Sequence, residues 1–282
     1  MAQVKAIACE LPARRALPWS RLSAADVWRV AQSEARVNRI SLSTVRRWLA
    51  ADALRPWRYR LWIFPRGPDF EPKARAVLDL YQGIWQGERL GSDCYVISAD
   101  EKTSIQARRR CHAPEVCQPG RPMRVEHEYE RGGALAYLAA LDVRRGKVIG
   151  YLSEHTGVDP FHELVRRVME QEPYARARRV FWIVDNGPSH RPTTCPQRLA
   201  RMYPNAVAVH LPIHASWLNQ IELYFSILQR KVLTPNDFPD VQALEERILR
   251  FQEYHNRQAG PFRWTFTREK LESWYCRLKQ AA

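Results

Sequence analysis

The sequence is short of several features, and each shortage excludes a class of protein. Only 6 of its residues are cysteines, and in a cytosolic protein these are expected to stay reduced. Cys111, His112 and Cys117 come nearest to a zinc pattern, but a second ligand pair is missing. No run of about 18 apolar residues occurs, which excludes a spanning helix, and the first twenty residues lack the apolar core of a secretory signal. We therefore expect a cytoplasmic protein with reduced thiols and no membrane partner.

Acidic residues are also scarce, at 30 Asp and Glu against 44 Lys and Arg, for a net charge of +14. Residues 1–66 alone hold 13 Lys or Arg against 4 Asp or Glu, a net +9. This asymmetry predicts a segment that binds a polyanion, with DNA or RNA as the first candidate. An acidic membrane surface is the alternative, but no basic amphipathic helix with a large apolar face accompanies the charge.

Two short helices are predicted within the basic region. Ser23 is the expected N-cap of the first, which ends near Asn38, and Ser43 is the expected N-cap of the second. Two such helices joined by a tight turn are typical of a helix-turn-helix whose second helix enters the major groove. The side chains predicted to face DNA are Ser43, Thr44, Arg46 and Arg47. An ordinary helical hairpin with a solvated basic face is the alternative, and the charge asymmetry favours DNA.

A proline-rich and arginine-rich stretch follows, and its composition resists regular structure. We predict that Arg55, Arg58 and Arg60 contact phosphates along it. The chain then divides into an all-α helix-turn-helix module over 1–54, a basic linker over 55–73 and an α/β domain over 74–282.

Two apolar runs in the α/β domain end in an aspartate. The first, Tyr95 to Lys102, carries Asp100, and the second, 180–184, is followed by Asp185. Both runs are rich in strand formers. Either aspartate alone is more often a turn residue or a helix cap than a ligand, so the argument depends on the two together.

A third acid lies on a predicted helix that begins at Ser216. Apolar residues recur there at intervals of three or four, namely Leu218, Ile221, Phe225, Leu228 and Val232. Glu222 falls on the polar flank beside this apolar stripe, together with Asn219. If the two strands are parallel neighbours, the three carboxylates converge and suit hard divalent cations. Two ions about 4 Å apart would support in-line phosphoryl transfer. We expect Mg²⁺, with Mn²⁺ as a substitute.

Three segments resemble the catalytic blocks of the DDE transposases of the mariner superfamily, in its bacterial insertion-sequence branch. These are SADEK, VDNGPSH and LPIHASWLNQIELYFSILQRKVL. The resemblance implies that Asp100, Asp185 and Glu222 bind the metal ions, and the 36 residues between the last two match the group's spacing. It also implies supporting roles for Asn186, His190 and Asn219, although His190 can equally be a plain helix-start residue. Gln220 replaces the family's proline.

The order of predicted elements is three strands, a helix, a strand, a helix, a strand and a helix. This order is that of the ribonuclease H-like fold, an α/β mixed sheet flanked by helices, in which the first and fourth strands are parallel neighbours. The fold and the resemblance together predict a transposase that cleaves transposon ends and joins them to target DNA. Its expected partners are double-stranded DNA, both terminal inverted repeats and target, and a second copy in a homodimer. A nuclease that cuts without joining and a catalytically inactive DNA-binding derivative are the alternatives.

Overall fold

The structure, a computed structural model, describes residues 1–34, 40–59, 65 and 67–281, with side chains up to residue 278. It divides into two compact units, Met1–Phe64 and Pro65–Ala282. The division falls inside the stretch predicted as a linker, 55–73. Among the described helices, none is long and apolar enough to cross a membrane. All six cysteines are free thiols.

The amino-terminal unit consists of small helices around one apolar cluster. Its α-helices are α1 (Ala2–Ala8), α2 (Ala24–Ser33) and α3 (Leu42–Ala51). Ser23 caps α2 in a capping box with Asp26, as predicted. The buried cluster that joins the helices includes Val4, Ile7, Leu22, Val27, Ala31, Val45 and Leu49. The unit therefore has a core of its own. The predicted end of the first helix near Asn38 is wrong, because α2 ends at Ser33, and Asn38 lies outside the described residues.

The predicted cap of the second helix is displaced by two residues. Ser41, not Ser43, is the N-cap of α3, and its Oγ accepts a hydrogen bond from the Thr44 N–H at 3.2 Å. Both serines can cap a helix, and the earlier one satisfies a backbone N–H of the first turn. Ser43 thus lies within that turn, where it stays exposed.

The larger unit contains a five-stranded mixed sheet of order β5-β4-β3-β6-β7. The strands are β3 (Cys94–Arg109), β4 (Glu130–Asp142), β5 (Val148–Ser153), β6 (Arg179–Val184) and β7 (Ala206–His210), and a separate small hairpin pairs β1 (Ile84–Trp85) with β2 (Glu88–Arg89). The helices around the sheet are α4 (Phe70–Tyr81), α5 (Val158–Met169), α6 (Cys195–Met202), α7 (Ile221–Lys231), α8 (Val241–Arg257) and α9 (Arg268–Ala281).

Strands β3 and β6 are parallel neighbours, as predicted. Their register pairs Tyr95 with Val180 and Ser98 with Ile183. Strand β4 runs antiparallel on the other side of β3 and places Ala139 opposite Asp100. The first and fourth long strands of the sheet are therefore adjacent, the relation on which the proposed meeting of Asp100 and Asp185 depends.

Strand β3 is longer than the predicted run of Tyr95 to Lys102, because it continues to Arg109. The strand pairs with the equally long β4 as far as Arg109 and Glu130, with a register shift between Lys102 and Ile105. Ser104 has φ +55° at this irregularity. The prediction that this strand ends at Asp100 is therefore wrong. A bulge, not a turn, separates the two halves.

The two faces of the sheet are covered by different helices. Ile97 and Ala99 of β3 pack with Phe161 and other residues of α5 and α6. The opposite face, which includes Tyr137, packs against α7 and α8. This alternation follows from the period of two along a strand. It assigns Ser98 and Asp100 to the face that meets α7.

Helix α4 begins at Phe70, inside the stretch 55–73 that was predicted as a linker, and the small hairpin follows its end at Tyr81. Helix α5 begins at Val158 after Gly157, and helix α6 begins at Cys195.

Candidate active site

Asp100 lies in the middle of β3, beyond the last residue paired with β6. Its Oδ1 accepts a hydrogen bond from the Glu101 N–H at 2.8 Å, and its Oδ2 accepts one from Asn219 Nδ2 at 3.1 Å. The pKa of Asp100 is raised to about 7, and burial is the main cause. The charges of Asp185, Glu101 and Glu222 also raise this pKa, whereas the hydrogen bond from the Glu101 N–H lowers it. The three predicted acids therefore share one electrostatic environment.

Asp185 directly follows β6, and its surroundings lower its pKa, whereas those of Asp100 raise it. His190 Nδ1 donates a hydrogen bond to its Oδ1 at 2.8 Å, and the Gly187 N–H donates another at 2.8 Å. The hydrogen bond from His190 is the main cause that lowers the pKa of Asp185 below its ordinary value. Asp185 is thus held ionised at neutral pH.

His190 is rigidly placed behind Asp185. It ends a short 3₁₀ segment, Pro188–His190, and is 1% exposed. Its ring packs edge-on against Phe161 of α5, with centroids 4.2 Å apart. Its carbonyl oxygen accepts a hydrogen bond from His210 Nε2 at 2.6 Å. These contacts fix the imidazole toward Asp185, so the side chain does more than begin a helix.

Glu222 lies in the first turn of α7, and the start of this helix differs from the prediction. Helix α7 begins at Ile221 with Gln220 as N-cap, while Ser216 begins a separate 3₁₀ turn that ends at Leu218. Gln220 thus occupies the position of the family's proline without disturbing the helix. Desolvation raises the pKa of Glu222, whereas the charge of Lys102 lowers it. Lys102 therefore lies near this carboxylate.

A buried network ties the start of α7 to β3. Ser98 Oγ donates to Asn219 Oδ1 and accepts a hydrogen bond from the Ile221 N–H at 3.0 Å. Asn219 Nδ2 in turn donates to the Ala99 carbonyl and to Asp100 Oδ2, each at 3.1 Å. Ser98 and Asn219 are almost fully buried. The network sets the position of Asp100 relative to Glu222, because Glu222 immediately follows Ile221.

Tyr81 at the end of α4 fixes the same segment from another side. Its hydroxyl donates to the Leu218 carbonyl at 2.7 Å and accepts a hydrogen bond from the Gln220 N–H at 3.3 Å. Sequence reasoning missed both Tyr81 and Ser98. A serine two residues before Asp100, in an otherwise apolar run, carried a signal, because the period of two places it on the same face as Asp100.

Glu101 points to the other face of the sheet, as the alternation predicts. Ser189 Oγ donates to its Oε1 at 3.1 Å, and the same oxygen lies 3.5 Å from His190 Nε2. The His190 imidazole therefore lies between two carboxylates, with Nδ1 toward Asp185 and Nε2 toward Glu101. Asn186 contacts neither of the two aspartates through this bond, unlike His190 and Asn219, because its Nδ2 donates to the Leu211 carbonyl at 2.8 Å. It ties the end of β6 to the chain after β7.

The donor set fits hard divalent cations, although its oxygens are not arranged as a cage. Within the described residues, no group of three or more His, Cys, Asp or Glu side chains has a geometry that could hold a metal ion. Instead, one carboxylate oxygen of Asp100 accepts a hydrogen bond from Asn219, and one of Asp185 accepts a hydrogen bond from His190. A buried carboxyl near three further carboxylates is costly unless a cation neutralises them, and all the candidate ligand atoms are oxygens. The residues present therefore suit Mg²⁺ or Mn²⁺.

The predicted DNA-facing residues of the amino-terminal unit are mostly exposed. Ser43, Arg46, Arg47, Arg55 and Arg58 are exposed, Thr44 is half-buried, and Arg60 lies outside the described residues. Thr44 Oγ1 is 2.9 Å from Ser41 Oγ, so its hydroxyl takes part in the cap of α3. The exposed arginines remain predicted DNA contacts.

A mixed sheet of this order, flanked by helices and with its first and fourth long strands as parallel neighbours, defines a domain of the ribonuclease H-like class. The chain belongs to the DDE superfamily endonuclease family, whose sequence model matches residues 95–245, just over half of the chain. The matched range contains Asp100, Asp185 and Glu222. Endonucleases of this family depend on divalent metal ions. No curated protein matches the chain by sequence.

Solved structures share the fold at low sequence identity. The Mos1 mariner paired end complex with Mn is 13% identical with a TM-score of 0.50, over 85% of this chain and 75% of that chain. A pre-cleavage Mos1 transpososome is 14% identical with a TM-score of 0.49 over the same shares. The family match and this fold confirm the predicted ribonuclease H-like sheet and the resemblance to mariner-type DDE transposases. The bacterial insertion-sequence branch stays a prediction.

Proposed function

We propose that this DDE endonuclease is a DNA transposase that cleaves transposon ends and joins them to target DNA. The observation that carries the proposal is that the charges of Asp185, after β6, and Glu222, on α7, raise the pKa of Asp100 on β3, although the three acids are far apart in the sequence. The basic amino-terminal unit supports it, because a recognition module suits an enzyme that must find particular DNA ends.

Asp100, Asp185 and Glu222 are the proposed ligands of Mg²⁺, with Mn²⁺ as a substitute. The bound ions would polarise the phosphodiester and favour an ionised nucleophile at neutral pH. The chain's own residues prepare this site. His190 keeps Asp185 ionised, and Asn219 orients the carboxylate of Asp100. The Ser98 network holds Glu222 at a fixed distance along the first turn of α7.

Double-stranded DNA is the proposed substrate, as both terminal inverted repeats and target. The exposed residues Ser43, Arg46 and Arg47 of α3 are the proposed major-groove contacts, with the half-buried Thr44 beside them. Arg55 and Arg58 are proposed to contact phosphates. One structure of similar fold is a paired end complex of Mos1 mariner, which fits an enzyme that handles two DNA ends together.

A homodimer is the proposed active form, since two ends must be held at once and each copy carries one carboxylate site. We place the protein in the cytoplasm, associated with the nucleoid, where its DNA substrate lies. A nuclease that cuts without joining is the first rival proposal, and an inactive DNA-binding derivative is the second.

A cleavage and joining assay separates these possibilities. Labelled DNA that flanks the coding sequence is incubated with a target plasmid, Mg²⁺ and either the wild type or Asp185→Asn. Asp159→Asn is the matched control, because Asp159 is an exposed aspartate in the first turn of α5. The proposal expects cleavage and joined products from the wild type and the control only. Cleavage without joining would favour the nuclease, and equal inactivity of wild type and Asp185→Asn would favour the inactive derivative.

A further inference from the structure

A polar groove lies beyond the carboxylates, along the distal half of β3. Its volume is about 490 Å³, within the range of sites that hold a ligand of nucleotide size. The second half of β3, the last turn of α7 and the segment after that helix line it: Lys102, Thr103, Ser104, Ile105, Gln106, Arg108, Arg110, Gln229, Leu233, Thr234, Pro235 and Asn236. The groove thus belongs entirely to the larger unit.

All the charged residues that line the groove are cations. Lys102, Arg108 and Arg110 line it, and its lining includes no carboxylate. Among the described residues, none of these three cations forms an ion pair with an acid, unlike the adjacent Arg109, which pairs with Glu130. Cations that stay unpaired along a concave surface attract anions. The groove therefore has a preference for a polyanion.

The arginines are held in place before any ligand arrives. Arg108 stacks over the ring of Tyr129 at 4.5 Å from its centroid, and Arg110 lies 5.8 Å from the same centroid. Arg110 Nε also donates to the Glu126 carbonyl at 2.6 Å. A guanidinium that is already ordered loses less conformational entropy when it binds a phosphate.

The walls of the groove are equally fixed. Asn236 Nδ2 donates to the Gln106 carbonyl at 2.7 Å, and its Oδ1 accepts from the Arg108 N–H at 3.1 Å. The Phe238 N–H donates to the Arg108 carbonyl at 2.9 Å. The segment after α7 is therefore held against the backbone of β3 by three hydrogen bonds. The fold thus fixes the shape of the groove.

The groove is continuous with the carboxylate site at one end. Lys102 follows Asp100 by two residues on the same strand, about 7 Å along it, and lies near Glu222. Gln229 follows Glu222 by seven residues on α7, about 10 Å along the helix. Both walls of the groove, β3 and α7, therefore extend from the carboxylate site in the same direction.

We propose that this groove binds the phosphodiester backbone of a single DNA strand beside the bond that is cut, with Arg108 and Arg110 contacting its phosphates. The inference rests on the proposed function for its ligand. A groove of about 490 Å³ has room for a few nucleotides of one strand and not for a whole duplex.

A short single-stranded oligonucleotide tests the groove apart from catalysis. A labelled DNA pentamer has no major groove for a helix-turn-helix, and its binding is measured by fluorescence anisotropy with EDTA over a range of salt concentrations. Loss of one phosphate contact reduces the salt slope by about 0.7 for single strands, which is about fivefold in affinity at 0.1 M salt. Arg108→Gln is expected to show this loss.

Two further variants make the test specific. Arg109→Gln removes the neighbouring arginine that is already paired, and it should leave pentamer binding unchanged. Thr103→Glu keeps all arginines but adds a negative charge at an exposed position of the lining, and it should weaken binding as well. Thermal unfolding of each variant verifies that the fold is retained.

The outcomes distinguish the groove from the proposed function. Equal pentamer binding by wild type, Arg108→Gln and Thr103→Glu overturns the groove inference, whatever the enzyme does to duplex DNA. An equal loss in Arg109→Gln also overturns it, because charge alone would then explain the effect. If the wild type neither cleaves nor joins DNA but Arg108→Gln still binds the pentamer fivefold more weakly, the proposed function fails and the groove stands.

Discussion

The middle of β3 and the end of β6 each present an aspartate to the same site, yet their surroundings act in opposite directions. Asp100 is buried beside other acids, which raises its pKa to about 7. Asp185 receives a hydrogen bond from His190, which lowers its pKa. Asp100 is therefore only partly ionised at neutral pH without a cation, whereas Asp185 is already ionised. This difference between the two pKa values explains how the fold tolerates the group of acids without a cation, while the group still attracts metal ions strongly.

The largest expected effect comes from removing either charge. Asp100→Asn and Asp185→Asn should each reduce DNA cleavage by about 1,000-fold or more, because each removes a proposed ligand of the ions that stabilise the transition state. Initial rates with saturating Mg²⁺ measure this loss, and Asp159→Asn is the control. Retention of more than a tenth of the activity in either variant would remove that aspartate from the proposed site.

The pH dependence of stability separates the two aspartates. Asp100 binds its proton more tightly in the folded state, so its contribution to stability is complete below about pH 4 and is lost as the pH rises through 7. The loss amounts to about 4 kcal/mol at most. Urea unfolding in EDTA between pH 4.5 and 8 should show this decline in the wild type and in Asp159→Asn.

Asp100→Asn should abolish most of that decline, because it leaves no carboxyl to ionise. Asp185 has the opposite sign, since its lowered pKa adds stability that is lost only when the pH falls into the acid range. A slope between pH 4.5 and 8 that is the same in wild type and Asp100→Asn would contradict the raised pKa of Asp100.

A smaller effect is expected at His190, which acts through Asp185. His190→Gln should reduce cleavage 10- to 100-fold, the usual cost of losing a group that orients a metal ligand. The pKa of Asp185 should also return toward its ordinary value, so that activity falls at a higher pH than in the wild type. His155→Gln, at an exposed position, is the control. An unchanged pH profile would reduce His190 to a packing residue.

The smallest effect is expected at Ser98, which positions Glu222 through α7. Ser98→Ala leaves the Ile221 N–H and Asn219 Oδ1 without their buried hydrogen-bond partner, at a cost of about 1–3 kcal/mol. Displacement of Glu222 should lower the cleavage rate about tenfold after correction for the folded fraction. Ser33→Ala, at an exposed helix end, should change neither value. Lost stability with full activity would show that the network only supports the fold.

Much of the site could be predicted because its signals are local. An apolar run followed by an acid marked both aspartates, and the stripe of α7 placed Glu222 on its polar flank. The parallel pairing of β3 and β6 followed from the order of elements and is confirmed. Burial patterns of period two or 3.6 are written in the sequence, so strands and helices near the site were recognised.

Other features depend on distant partners and could not be read locally. The continuation of β3 past Asp100 requires the equally long β4, and a bulge at Ser104 resembles a turn in sequence. Capping by Ser41 rather than Ser43 depends on which hydroxyl reaches the first free N–H. The contacts of Tyr81 with Gln220 and of Ser98 with Ile221 join residues more than 120 positions apart. Such pairs appear only once the sheet has formed.

Direct metal binding tests the central claim, that Asp100, Asp185 and Glu222 hold divalent cations. Mn²⁺ binding is followed by electron paramagnetic resonance at pH 8, for the wild type, Asp100→Asn and Asp159→Asn. We expect the wild type and Asp159→Asn to bind Mn²⁺ alike, and Asp100→Asn to bind at least tenfold more weakly. Equal Mn²⁺ binding by wild type and Asp100→Asn, or no binding by the wild type, would contradict the claim.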